Sequence, residues 1–198
     1  MTRKEFLNNY WRLYILLEKR FVESLSYVEL CNDNMDTYSI EFISQLREIG
    51  SEIDIIMKTL CGFNHNEHKC ITHYAPVILS SYPDIVNQQI DGKDIIIKPF
   101  ENWSVSSPSQ SLVWWEAYNH TKHGRVLNFK EGNLKNVFYA LGALFILNNY
   151  LLKKVADDNN DIDVVNESSS LFVMKNWQTR FETLEETYYE IMDESEIN

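Results

Sequence analysis

The chain has 198 residues, of which 44% are apolar and 13% aromatic. This is enough for one folded domain and excludes a chain that is disordered throughout. Its 18 basic and 29 acidic residues give a net charge of −11, which excludes a protein that coats nucleic acid or an anionic membrane through overall positive charge. Six glycines and four prolines are few for an all-β fold and therefore favour long helices.

The cysteines and the apolar segments bear on where the protein is located. The chain has an odd number of cysteines, Cys31, Cys61 and Cys70, and its N-terminal region has no apolar secretion signal. We therefore expect free thiols in a reducing cytoplasm. The most apolar stretch, residues 137–152, is short for a membrane-spanning helix and contains two asparagines near its end. We therefore expect a buried core helix there and no membrane partner.

Two long amphipathic helices are predicted in the N-terminal third. Apolar residues at steps of three and four indicate a single helix over residues 3–30. A second helix begins after a cap at Thr37 or Ser39 and runs to about Leu60. Because a short polar segment connects them, we expect the two helices to form an antiparallel hairpin.

Two further major helices and one short helix follow. Residues 111–123 form the third predicted helix, which ends at Gly124, and residues 133–156 form the fourth, with a broad apolar face. The short helix covers residues 72–80 and tolerates Pro76 near its start. The helices together predict an all-α bundle.

A change of hydrophobic period predicts a small β-hairpin inserted in this bundle at about residues 84–99. Residues 85–90 and 93–98 alternate as short strands do, and the Asp91-Gly92 pair between them is typical of a tight turn. The predicted fold class is therefore an all-α helical bundle with a small β-hairpin insertion.

The C-terminal region differs in composition from the bundle. We divide the chain into three parts: a helical bundle over residues 1–156, an acidic linker or long loop over residues 157–170, and a C-terminal segment over residues 171–198. Within that segment, residues 171–174 are predicted as a short strand or a helix entry. A terminal helix is predicted over residues 181–192, followed by an acidic tail over residues 193–198.

The densest group of polar and aromatic side chains is the segment WWEAYNHTKHGR, residues 114–125. On a helix, Asn119 and His123 lie one turn apart on the same face, with Lys122 and Arg125 beside them. A histidine of near-neutral pKa can take a proton from a ribose 2′-hydroxyl or give one to a leaving oxygen, and a cation offsets charge in the transition state. The amide of Asn119 can orient the imidazole or a substrate oxygen. The segment is therefore a candidate catalytic site for phosphodiester cleavage.

This segment and the following one, NFKEGNLKNVFYALGALFIL, resemble the HEPN superfamily of helical proteins, with an architecture similar over residues 38–155. Members are helical bundles that pair as dimers, and many are metal-independent ribonucleases of prokaryotic toxin–antitoxin, abortive-infection and antiviral systems. Their signature is an arginine, often followed by a polar residue such as asparagine, with a histidine four to six residues after the arginine. The resemblance implies a HEPN-like bundle with Asn119 and His123 in its site, while Tyr118 stands at the arginine position.

The resemblance also implies the partners. RNA is the expected substrate or ligand, the chain is expected to form a homodimer in which two copies of the third helix share a cleft, and no cofactor is needed. Lys122 or Arg125 then supplies the cation, and together with Lys130 these residues give an acidic chain a local RNA site. An antitoxin or another defence-system protein is the implied protein partner.

A non-catalytic interpretation of the same residues stays open. The helix dipole stabilises basic side chains in a last turn by ~0.3–1 kcal/mol each without any catalytic role, and paired tryptophans fit a core. The missing arginine favours this alternative, a helical interaction or regulatory module in which Asn119 and His123 bridge helices.

A carboxylate on the second helix is a further candidate. If the second and third helices pack antiparallel, Glu52 or Asp54 can hydrogen-bond His123 and raise its pKa. Asp54 and Lys58 also form an i, i+4 pair, which is typical of a solvated charged face. Both interpretations of this helix face stay open.

A metal site is the remaining alternative. Five residues that can bind zinc fall within thirteen positions: Cys61, His65, His68, Cys70 and His73. Their spacing matches no standard zinc finger, so a metal-stabilised structural protein is the weaker hypothesis. The sequence contains no glycine-rich phosphate loop, nucleophile elbow or dinucleotide fingerprint, and kinase, hydrolase and dehydrogenase functions therefore have no support.

Overall fold

The structure is a computed structural model that describes residues 1–64, 66–182 and 187–191, with backbone alone from residue 181 onward. Over these residues the protein is mostly helical, with a small antiparallel sheet of three strands and a separate two-stranded pair. The helical class is confirmed, and the predicted hairpin is part of the three-stranded sheet.

The N-terminal helical segment is shorter than predicted. It consists of α1 (Arg3–Phe6), a π-helical turn (Leu7–Trp11) and α2 (Arg12–Ser24), so the predicted single helix over residues 3–30 is wrong beyond Ser24. The Ser24 hydroxyl donates to the Arg20 carbonyl (3.1 Å) and accepts from the side chain of Gln45 (2.7 Å). Such side-chain bonding competes with helix continuation.

The next four predicted helices are confirmed, with ends within three residues of the prediction. They are α3 (Ile40–Leu60), α4 (Ile71–Ser81), α5 (Val113–Gly124) and α6 (Leu134–Asn159). Ser39, and not Thr37, caps α3, since its hydroxyl accepts from the Phe42 amide (3.0 Å). Asn133 caps α6 in the same way.

The centre of the core is α6, which is buried over most of its length and packs mainly on α3. Gly142 lets the sheet approach this helix, because an added Cβ there would lie 2.7 Å from Ile90 Cδ1. The buried core helix predicted for residues 137–152 is therefore confirmed. Among the described residues, no helix is both long and apolar enough to span a bilayer.

The predicted hairpin forms, but its turn is displaced. Strand β1 (Ile90–Gly92) pairs antiparallel with β2 (Ile95–Ile97), and Lys93 and Asp94 form the turn at positive φ (51° and 67°). The predicted turn at Asp91-Gly92 is wrong because Gly92 lies in the strand, where an added Cβ would be 2.7 Å from the Phe138 ring. The predicted strand start near residue 85 is wrong as well, since Pro83–Asn87 is a 3-10 helix.

The C-terminal segment contributes strands. Strand β3 (Phe172–Met174) pairs with β1, so that Ile90 lies opposite Met174 and the sheet order is β2-β1-β3. The predicted terminal helix over residues 181–192 is wrong where it is described, because β4 (Gln178–Glu182) and β5 (Thr187–Ile191) form an antiparallel pair. The Thr-Tyr-Tyr-Glu-Ile sequence of β5 is rich in residues that favour strands. The predicted acidic tail lies outside the described residues.

The acidic segment between α6 and β3 is a long loop that returns along α2. The Trp11 indole donates to the Glu167 carbonyl (2.8 Å), and the Glu18 carboxylate accepts from the Ser170 amide and hydroxyl (2.7 and 2.8 Å). These bonds fix the path of the chain into β3.

Candidate functional site

The buried face of α5 fixes the orientation of the predicted site. Trp114, Ala117, Tyr118 and Thr121 are buried, and the helix packs against both α3 and α6. The close approach to α3 depends on Gly50, because an added Cβ there would lie only 2.7 Å from Cε2 of the Tyr118 ring. The remaining face of α5 therefore points to solvent.

The basic end of α5 is exposed. His123, Lys122 and Arg125 are all solvent-exposed, and Asn119 is half-buried. In the part of the chain that the structure describes, no hydrogen bond or ion pair reaches the His123 ring. The imidazole is therefore available to a ligand.

Asn119 lies on the same face as His123, as predicted, but the two side chains are not joined. The Asn119 amide nitrogen donates to the Trp115 carbonyl one turn earlier (3.1 Å). This bond uses one of the two amide hydrogens of Asn119. Asn119 does not orient the His123 ring in this structure.

Glu52 is not brought to His123. Residues follow one another at about 100° around a helix, which places Glu52 about 200° from Gly50, on the side of α3 away from α5. Thr59, which shares the Glu52 side of α3, contacts the Tyr10 hydroxyl (3.1 Å), so this side faces the N-terminal helical segment. Burial raises the pKa of Glu52, and no bond to His123 is found among the described residues.

The carboxylate of Asp54, on α3, is close enough to Lys122 to feel its charge. Burial raises the pKa of Asp54, while the nearby Tyr74 hydroxyl and the charges of Lys58 and Lys122 lower it. The sequence offered Glu52 or Asp54 as a partner of His123, with Glu52 as the candidate site residue, and among the described residues neither contacts the His123 ring. The fold places Asp54 nearer to the basic end of α5.

His120 has a partner that the sequence did not assign. Its Nδ1 lies 3.0 and 2.9 Å from the two carboxylate oxygens of Glu131, in the turn after α5. The Asn128 amide also donates to the carbonyls of His120 (3.3 Å) and Gly124 (3.1 Å). These contacts hold the end of α5 in place, so His120 has a structural role that His123 lacks.

A groove between α3 and α5 was missed from the sequence. The α3–α5 groove, of about 390 Å³, is lined by Ser44, Arg47, Glu48, Ser51, Tyr118 and Lys122. The signal in the sequence is a polar stripe at positions 44, 47, 48 and 51 of an otherwise apolar helix. The stripe alone does not predict which helix forms the other wall of the groove, because that depends on how the helices pack.

The metal alternative gains no support from the described residues, which contain no group of three or more side chains suited to a metal ion. Cys70 and His73 do meet, with Sγ 3.3 Å from Nδ1, but they form only a pair. Cys61 turns its thiol toward the Tyr74 carbonyl (3.9 Å), and burial raises the pKa of that thiol to about 12, which disfavours the thiolate that binds zinc. His65 lies outside the described residues.

No protein-family model, curated protein or solved structure matches this chain. The fold and the site define a mostly helical protein in which the end of α5 presents an exposed imidazole and two exposed cations. The functional inference therefore starts from that geometry.

Proposed function

We propose that this protein is a HEPN-like effector of a prokaryotic toxin–antitoxin or antiviral defence system, which binds RNA and cleaves it without a metal ion. The observation that carries this proposal is the exposed His123 ring, which has no bonding partner among the described residues and lies beside exposed Lys122 and Arg125. An imidazole can take a proton from a hydroxyl or give one to a leaving oxygen, and adjacent cations offset the charge of a phosphate.

In the proposed reaction, His123 removes the proton of a ribose 2′-hydroxyl, and the 2′-oxygen attacks the adjacent phosphorus. The bond to the 5′-oxygen of the next nucleotide breaks, and that oxygen takes a proton from an acid. Lys122 or Arg125 offsets the charge on the phosphorane-like transition state, and the amide oxygen of Asn119 accepts from a sugar hydroxyl. The products are a 2′,3′-cyclic phosphate and a 5′-hydroxyl end.

A homodimer completes this proposal because the second His123 then supplies the acid for the leaving oxygen. The two residues that follow Arg125 support it: Val126 and Leu127 are apolar and are 85% and 91% exposed in the single chain. A second copy that packs on them removes this apolar surface from water and brings two α5 ends together.

The second candidate is a non-catalytic interaction or regulatory module of the same bundle. Two observations favour it: Tyr118, at the arginine position of the resemblance, is a buried residue packed on Gly50, and the Asn119 amide is bonded within its own helix. In this case the basic end of α5 binds RNA or a partner protein without chemistry.

The experiment compares the wild type with His123→Ala on a labelled single-stranded RNA, in the presence of EDTA. We expect EDTA-resistant cleavage that falls at least about a hundredfold in His123→Ala, since removal of a general acid–base group costs ~10²–10⁴ in rate. His68→Ala is the matched control, because His68 is also exposed but lies in a loop remote in sequence from α5. Circular dichroism checks that both variants are folded.

Three results separate the candidates. Equal cleavage by the wild type and a folded His123→Ala variant rejects the enzymatic proposal. RNA binding by the wild type without cleavage supports the non-catalytic module. In cells, growth arrest by the wild type and not by His123→Ala supports a toxin-like effector.

A further inference from the structure

The geometry points to the α3–α5 groove as a binding site for a phosphate group. The identity of the ligand rests on the proposed function: the phosphate then belongs to the RNA backbone, next to the phosphate that lies at His123. Four side chains recognise it: Arg47 and Lys122 by charge, and Ser44 and Ser51 by their hydroxyls. Both helices that carry them belong to the packed core, so the donors are held on rigid elements.

Arg47 is the first of these donors. It is exposed, it lines the groove, and no hydrogen bond or ion pair engages it within residues 1–64, 66–182 and 187–191. Arg20 is the contrast on the neighbouring helix, since it is bound by Glu41, Glu48 and Ser44. The planar guanidinium of Arg47 therefore keeps its donors for a phosphate, which it can bind through two parallel bonds.

The one carboxylate in the groove lining is turned to another partner. Glu48 forms an ion pair with Arg20, which neutralises its charge at the edge of the groove. The Ser44 oxygen accepts from the same arginine (3.1 Å), and its hydroxyl hydrogen is left to donate into the groove. Arg20 thus reduces the negative charge on one side of the groove and leaves a hydroxyl donor there for an anion.

Lys122 supplies the cation on the α5 side. Its ammonium lies 5.1 Å from the centre of the Tyr118 ring and donates to the Tyr118 hydroxyl (3.1 Å). An ammonium has three donors, so two remain for a ligand. Arg47 from one helix and Lys122 from the other therefore approach an anion from two sides.

The groove lies next to His123 on the surface of α5. Neighbouring residues on a helix are about 100° apart, so His123 lies on the face of α5 next to the groove face of Lys122. The groove volume of about 390 Å³ is within the range typical of small-ligand sites. A strand with one phosphate in the groove can therefore cross the end of α5 to reach the imidazole.

The experiment measures two ligands on the full chain. Inorganic pyrophosphate is titrated and followed by the NMR signals of arginine and backbone groups, and a fluorescent 2′-O-methyl RNA, which cannot be cleaved, is followed by anisotropy. We expect Arg47→Ala to weaken both interactions about tenfold, because it removes a charge-assisted hydrogen bond. Arg47→Lys, which keeps the charge without the planar fork, is expected to recover part of the loss.

Arg12→Ala is the matched control. Arg12 is an exposed arginine on α2, and like Arg47 it has no bonding partner in the described part of the chain. We expect this variant to bind both ligands as the wild type does, within about twofold, a difference well below 1 kcal/mol.

The outcomes distinguish this inference from the proposed function. If RNA is bound or cleaved but Arg47→Ala behaves as Arg12→Ala does, the groove proposal is overturned and the proposed function stands. If pyrophosphate shifts the groove signals, Arg47→Ala abolishes that shift and RNA is neither bound nor cleaved, the groove is supported and the proposed function fails. If neither ligand perturbs the groove of the wild type, the groove proposal is overturned.

Discussion

Tyr118 and Gly50 set the position of the basic helix end through a single contact. The Tyr118 ring occupies the space above Gly50 and packs on Trp115, with 5.1 Å between the ring centres. Its hydroxyl and its ring also hold the ammonium of Lys122. The residue at the arginine position of the resemblance therefore positions a cation, although it carries no charge itself.

Gly50→Ala is expected to lower the free energy of unfolding by about 1–3 kcal/mol, the usual cost of overpacking, even though alanine favours a helix. The added Cβ forces the Tyr118 ring away, because it would lie 2.7 Å from Cε2 of that ring. Gly124→Ala is the control, since its Cβ would meet only the end of the Asn128 side chain, at 3.0 Å. Urea unfolding followed by circular dichroism checks this, and a Gly50→Ala variant as stable as Gly124→Ala contradicts it.

Helix α2 and the acidic loop are joined by the buried carboxylate of Glu18, which is 1% exposed. It accepts hydrogen bonds from Tyr14, Ser169 and Ser170. Burial, followed by the adjacent Glu18 charge, raises the pKa of Tyr14 well above its usual value, so the phenol remains a donor. The loop held in this way leads directly into β3, which completes the sheet.

Glu18→Ala is expected to lower the free energy of unfolding by about 2–4 kcal/mol, because it leaves several buried donors without an acceptor. Glu23→Ala removes an exposed carboxylate from the same helix and is expected to cost about 0.5 kcal/mol or less. Hydrogen exchange provides a second measurement, in which amides of residues 169–174 lose protection selectively in Glu18→Ala. Equal stability of the two variants would show that the loop is not anchored by this carboxylate.

On the scale of the whole molecule, an acidic chain can keep a local basic surface where several cations without an ion-pair partner lie close together. Several lysines and arginines away from α5 form ion pairs with carboxylates: Lys19, Arg20, Lys69, Lys154, Lys175 and Arg180. Arg47, Lys122 and Arg125 form no ion pair with a described residue. The net charge of −11 then opposes binding of RNA elsewhere on the surface.

The affinity for RNA should therefore depend only weakly on salt, because few cations contact phosphates in the proposed interface. With three cations on phosphates, the logarithm of the affinity is expected to fall with the logarithm of salt at a slope of about −2, and Arg47→Ala should reduce that slope by about 0.7. Fluorescence anisotropy measures the RNA affinity at several salt concentrations between about 50 and 300 mM. A slope near zero contradicts an interface built on backbone phosphates.

The sequence by itself determined the local features. Apolar residues at helical spacing and a capping serine are properties of neighbouring residues, which is why α3 to α6 and the buried character of α6 were predicted correctly. The predicted grouping of Lys122, His123 and Arg125 followed for the same reason, since they lie in the last turn of α5 or directly after it.

Only the tertiary structure decided the features that join distant residues. Ile90 pairs with Met174 across more than eighty positions, and Glu52 faces away from α5 because Gly50 is the residue of α3 that admits the Tyr118 ring. The α3–α5 groove likewise needs two helices in a fixed relation. Periodicity states which face of an element is buried but not which element buries it, because that choice depends on the packing of the whole core.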